Sequence, residues 1–207
     1  LVTKHNAPFA IDYPQKIALV KNPDPQRFTT AYRAVSHAPV VKVTDLLGKT
    51  VGDPRWDSAE SAHYLRAPGS QSTAPDHLPT DSAEPILDAN NEDLRYLALT
   101  RQITGQLSDP LARSESIINF LSEESVYTRD PGHQIGPTDD PVAPYIFGPP
   151  KKKRGYCVHF AHAAVYMLRL AGIPARIGTG YLTDLQYAKD GHILLQMGDR
   201  HAWPEIY

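Results

Sequence analysis

Residues 157 to 182 read as a helix followed by a strand, and that order limits what the C-terminal part of the chain can fold into. Ala161, Ala164, Val165, Leu168 and Ala171 recur at helical spacing, Gly172 fits a left-handed position just past a helix end, and Pro174 cannot continue the helix. The pattern predicts a buried helix of about four turns that opens at Cys157. Ala175 to Leu182 and His192 to Met197 read as strands separated by the polar turn Thr183 to Gly191, and His201 to Tyr207 reads as a third. These elements predict an α+β fold in which one helix packs on an antiparallel sheet. A hairpin facing the helix end would hold His201 near Cys157.

Cys157 is the only cysteine in 207 residues, and it stands where a loop gives way to the helical pattern. A thiol at a helix N-terminus meets the positive end of the dipole and unpaired backbone N–H groups, which favour the thiolate nucleophile. His201 is the candidate base. Tyr156, next to the thiol, and Trp203, two residues beyond the imidazole, are the candidate substrate-binding side chains.

The segments Gly155-Tyr156-Cys157, His159-Phe160-Ala161, Leu168 to Arg176, Thr179-Gly180-Tyr181 and His201-Ala202-Trp203-Pro204-Glu205 together resemble the transglutaminase-like superfamily, thiol enzymes related in design to papain. Bacterial membrane-anchored members are the most similar. The blocks cover about a third of the chain, in family order and with family spacing. Val158 and Pro204 depart from the pattern, standing where an acidic and a β-branched residue are usual. The resemblance implies a papain/transglutaminase-like core, a Cys157–His201 pair and no cofactor. It implies acyl transfer through a thioester on a protein or peptide amide such as glutamine, resolved by a lysine amine or by water. It also implies an orienting Asp on the strand after the His strand, hence beyond Tyr207, and an extracytoplasmic place in a membrane-anchored parent. Asp199, two residues from His201 and roughly 6.6 Å away along a strand, is a poor substitute for that Asp.

Composition sets outer limits. With 41% hydrophobic and 21% charged residues the chain is of ordinary globular make-up. Its net charge of −2 disfavours a nucleic-acid partner, and no apolar run approaches the ~18 residues of a membrane span. Leu1 begins the chain without a signal-like segment, the expected mark of a piece cut from a longer protein.

Upstream, residues 1–65 read as a β-rich N-terminal unit, with strand-like runs at Ile17 to Val20 and Ala31 to Val43. Residues 66–91, rich in proline, serine and aspartate, read as a linker, and 92–207 as the transglutaminase-like domain. Asn91 can cap a helix to about Thr104 with Leu94, Leu97 and Ala98 on one side. Asp109-Pro110 can start another with Ile117, Ile118 and Leu121 inward. The proline-rich stretch Tyr127 to Arg154 leads straight to the thiol and is expected to wall the substrate cleft.

Other readings compete. His159, His162 and His201 with Cys157 suggest zinc, but His159 points roughly 200° away from Cys157 around a helix, so packing and helix hydrogen bonds fit it better and no metal is expected. Lys151 to Arg154 reads as a solvated loop rather than a phosphate-binding patch. Asp199 and Glu205 read as solvent-facing or structural. A cell-wall or protein amidase, a cysteine peptidase, and a non-catalytic binding module that kept the fold are the alternatives to crosslinking. Intact Cys157 and His201 favour an enzyme.

Overall fold

The computed structural model describes residues 2–3, 10, 13–37, 41–66, 91–123, 125–132, 142–147, 153–182 and 197–207. The expected linker (but for its end residues), the turn after residue 182 and the strand over 192–196 lie outside them.

Two compact units emerge, Leu1–Leu47 and Gly48–Tyr207. In the first, β1 (Val2–Thr3), β3 (Thr30–His37) and β2 (Tyr13–Leu19) form an antiparallel sheet in that order. The expected run to Val43 ends earlier than its β-branched composition suggests. The strand stops at His37, and Val43–Leu46 is a short helix, α1, at whose start the Lys42 N–H donates to the Asp45 carboxylate at 3.1 Å.

The second unit is helical at its centre. Short α2 (Ser58–Leu65) begins with a reciprocal cap: the Asp57 side chain accepts the Glu60 N–H at 2.8 Å and the Glu60 carboxylate accepts the Asp57 N–H at 3.2 Å. In α3 (Asn91–Thr104) the buried face is Tyr96, Leu97, Thr100 and Thr104, while Leu94 and Ala98, expected on one side with Leu97, are exposed. The stripe turns toward Tyr96, whose ring meets Phe147 and Tyr166 at centroid distances of 4.8 and 4.5 Å. In α4 (Pro110–Ser122) local chemistry decides the start: Asp109 caps through the Ala112 N–H at 2.9 Å, Pro110 opens the helix, and Ile117 and Leu121 are fully buried.

The core gathers around α6 (Cys157–Leu170), whose Ala163, Ala164, Met167 and Leu168 are buried against α3 and α4. Its end forms as the glycine and proline predict. Gly172 adopts φ +76°, its N–H donates to the Arg169 carbonyl at 3.0 Å, and the Ile173 N–H donates to the Leu168 carbonyl at 2.9 Å. Ile173 is buried, so the chain reverses over its own helix and enters β6 (Ala175–Tyr181). That strand pairs directly and antiparallel with β7 (Arg200–Ile206), and both pack on α6. The fold is α+β.

The described parts of the proline-rich stretch are packed. Val142 is buried, as are Tyr145 and Ile146 of α5 (Ala143–Ile146). Burial pushes the Tyr145 phenol above its ordinary pKa, with the Ser125 hydroxyl acting in the opposite direction, so the ring stays neutral in the core. Strand β5 (Lys153–Gly155) pairs in parallel with β4 (Ser125–Tyr127). Lys153 departs from the solvated-loop expectation. It is 8% exposed, its ammonium donates to the Phe120 carbonyl at 2.9 Å, and it lies 3.6 Å from the Phe120 ring centroid.

Candidate active site

Three constraints place Cys157. Parallel pairing of Gly155 with Tyr127, together with a 2.7 Å bond from the Thr128 N–H to the Gly155 carbonyl, ties down the turn before it. At Gly155 the space is tight: a Cβ would sit 3.0 Å from the His159 Cβ and 3.1 Å from the Tyr145 ring, so those side chains would have to give way. His159 then folds back on its own helix start, where its Nδ1 accepts the Tyr156 N–H at 3.4 Å, and the Tyr156 ring meets it edge-on at 4.7 Å. This is the helix hydrogen bond expected of His159. Accepting through Nδ1 requires that atom to be unprotonated.

Cys157 occupies the first position of α6, where the backbone N–H has no partner within the helix. Its side chain is 9% exposed and packs with Ala161 and Ala202 in a small apolar cluster bordered by Tyr156 and Ile177. Ala202 is the residue next to His201 in β7. The first turn of the helix therefore rests on the part of the strand that carries the imidazole. Among the described residues no hydrogen bond joins Cys157 to His201. Nor does any group of three His, Cys, Asp or Glu side chains there have a metal-binding arrangement.

His201, Trp203 and Glu205 share the other face of β7 by the two-residue alternation of a strand. Opposite them on β6 stand Gly180, Gly178 and Arg176. The Trp203 indole lies on the two glycines: a Cβ at Gly178 would be 2.5 Å from Nε1, and one at Gly180 would be 3.1 Å from Cη2. The indole N–H donates to Glu205 Oε1 at 2.9 Å, and Glu205 Oε2 accepts the Arg176 Nε–H at 2.6 Å. The half-buried His201 ring is near parallel to the indole, 18° off, with centroids 6.4 Å apart. Trp203 thus contacts His201, and Tyr156 borders Cys157.

Pro204 sits mid-strand because of its register. The Tyr207 N–H bonds the Pro174 carbonyl and the Leu182 N–H bonds the Asp199 carbonyl, so the pair Ile177 and Pro204 falls between ladder bonds and the missing donor faces away from β6. Asp199 is not on the strand. It ends a 3-10 turn, Met197–Asp199, so the spacing estimated along a strand does not apply to it.

Sequence reasoning alone misses Arg176, Gly178 and the indole-binding part played by Glu205. A signal for them exists: Gly178 and Gly180 alternate in β6 just as Trp203 and Glu205 do in β7, and a bulky ring two residues from a carboxylate needs an empty strand to lie on.

Residues 97–207 match the family model of the transglutaminase-like superfamily. Protein-glutamine gamma-glutamyltransferase of Pseudomonas aeruginosa is 30% identical over 114 residues, which cover 55% of this chain and 16% of that protein. The uncharacterized protein YebA of Bacillus subtilis is 27% identical over 182 residues, covering 85% of this chain and 21% of that one. The chain therefore spans about a fifth or less of the length of these relatives. Among solved structures, the periplasmic domain of TgpA from Pseudomonas aeruginosa superposes with a TM-score of 0.47 at 24% identity, over 73% of this chain and 44% of that one. Its ethylmercury-bound form gives 0.45 at 27%, over 58% and 41%. With its family model matched over more than half the chain, on residues that include Cys157 and His201, this protein belongs to the transglutaminase-like superfamily.

Proposed function

We propose that this chain carries the nucleophile and base of a thiol acyltransferase acting on protein or peptide amides. The observation that carries the reading is the position of Cys157 at the start of α6, in a stretch that the transglutaminase-like family model matches together with His201. Cys157 attacks the amide carbonyl as its thiolate, forming a C–S bond and a tetrahedral oxyanion that the Cys157 backbone N–H faces. Protonated His201 gives its proton to the departing nitrogen, the C–N bond breaks, and a thioester remains. An amine or water then attacks the thioester, His201 takes a proton from it, and the thiolate leaves. Tyr156 and Trp203, both half-buried beside these two groups, line the site for the acyl donor. No cofactor or metal is needed.

Two products separate the transferase from the amidase or peptidase. With a glutamine peptide and an excess primary amine, a transferase releases ammonia and yields the substituted amide; a hydrolase yields the free acid. We expect amide formation, by analogy with the relative named a glutamyltransferase. Free acid alone at saturating amine would assign the site to hydrolysis. Absence of both products and of any acyl-Cys157 species in intact-mass spectra would favour the binding-module alternative. No described helix is long and apolar enough to cross a membrane. The resemblance drawn from the sequence to bacterial membrane-anchored members is the basis for proposing an extracytoplasmic setting, with substrates exposed there.

A further inference from the structure

We propose that Glu205 is a positioning residue for His201: it pins the Trp203 indole onto Gly178 and Gly180, and the pinned indole fixes the plane of the imidazole. This inference rests on the role given to His201 above. An imidazole that shuttles protons to and from Cys157 must hold its ring in one orientation, and a neighbouring polar group usually supplies this. Among the described residues no hydrogen bond to the His201 ring is present, so within them its orientation comes from packing.

What it packs on is held from three sides. From below, the absence of side chains at Gly178 and Gly180 lets the indole lie flat, with ideal Cβ positions at only 2.5 and 3.1 Å from its nearest atoms. From the end, Glu205 accepts the indole N–H at 2.9 Å. From the neighbouring strand, Arg176 holds the second Glu205 oxygen at 2.6 Å and so sets the carboxylate plane. Arg176 in turn lies over the Tyr207 ring at 5.3 Å. The Arg176–Glu205 pair is partly exposed, and such pairs add little to stability. Its value here is directional: a carboxylate bound through both oxygens cannot rotate away from the indole. The His201 and Trp203 rings, 6.4 Å apart and 18° from parallel, are within the range of aromatic pairing.

The test is NMR of the whole chain labelled with nitrogen-15, following the Trp203 indole N–H and the His201 ring signals, alongside iodoacetamide labelling of Cys157 at pH 7. In the wild type the indole N–H is expected to exchange slowly, because Glu205 accepts it at 2.9 Å. Glu205→Leu is expected to speed that exchange by about tenfold, the worth of one hydrogen bond of ordinary net strength, and to shift or broaden the His201 signals. Gly178→Ala should do the same by displacing the ring. Glu205→Gln, which keeps an acceptor oxygen, should retain most of the protection and leave His201 near its wild-type shifts. A merely structural Glu205 would change the melting temperature without moving His201 relative to the rest of the spectrum. An indole N–H freed while the His201 signals stay put overturns the proposal, as does an unprotected indole in the wild type. Should Glu205→Leu fail to fold, Trp203→Phe removes the N–H while keeping a ring, and unchanged His201 signals there overturn it equally. A wild-type Cys157 no more reactive than free cysteine, in a protein whose His201 signals do follow the indole, would instead remove the acyl-transfer reading and leave the positioning role standing.

Discussion

His201→Ala is expected to lower turnover of a glutamine peptide by roughly three to four orders of magnitude, the scale seen when one member of a nucleophile–base constellation is lost. The chemistry explains the size. On the proposed mechanism, loss of the imidazole removes the proton donor for the departing nitrogen, and the tetrahedral adduct collapses back by expelling the thiolate. Stability should barely move, because His201 is half-buried, stands opposite Gly180 with no cross-strand side chain to lose, and forms no hydrogen bond among the described residues. Rates on the peptide and a thermal melt on the same samples check this. A large fall in melting temperature with unchanged rates would make His201 structural.

Ile117→Ala is expected to produce a large stability loss: about 2 to 5 kcal/mol, or a melting temperature lower by roughly 5 to 15 °C. Ile117 is completely buried, and it belongs to the cluster that includes Leu121, Met167 and Leu168. Removing its outer carbons leaves a void between α4 and α6, and close packing on all sides limits how far that void can collapse. Leu94→Ala on α3 is the control. Leu94 is 49% exposed, so its loss should cost about 0.5 kcal/mol or less. Equal losses at the two positions would contradict the burial pattern.

Local chemistry makes part of this architecture legible in the amino-acid sequence itself. Asp109-Pro110 and Gly172-Ile173-Pro174 announce helix ends because a cap and a left-handed turn are made by residues a few positions apart. The place of the candidate nucleophile is legible for the same reason: a helix start is a local feature, and Cys157 sits on it. Longer-range effects are harder to read. The basic run before the thiol has the composition of a solvated loop, yet Lys153 reaches Phe120, a residue far back in the sequence whose aromatic face no local pattern could supply. The buried stripe of α3 turns away from Leu94 because Phe147 and Tyr166 meet Tyr96 from elsewhere. Spacing alone puts Asp199 on a strand, whereas the chain takes a 3-10 turn there before β7 begins. Glu205 has the sequence signature of a surface or structural carboxylate. Its use emerges only once the register puts Gly178 opposite Trp203 and Arg176 opposite Glu205.

The central claim is that Cys157 is an activated nucleophile and not a small buried hydrophobe. Its most direct test is the rate of iodoacetamide alkylation of the folded chain at pH 7, in the wild type and in His201→Ala, with the modified residue identified by peptide mass mapping. The account predicts that Cys157 reacts at pH 7 faster than free cysteine and that His201→Ala slows the reaction. A rate no faster than that of free cysteine, or one that is the same with and without His201, would contradict it.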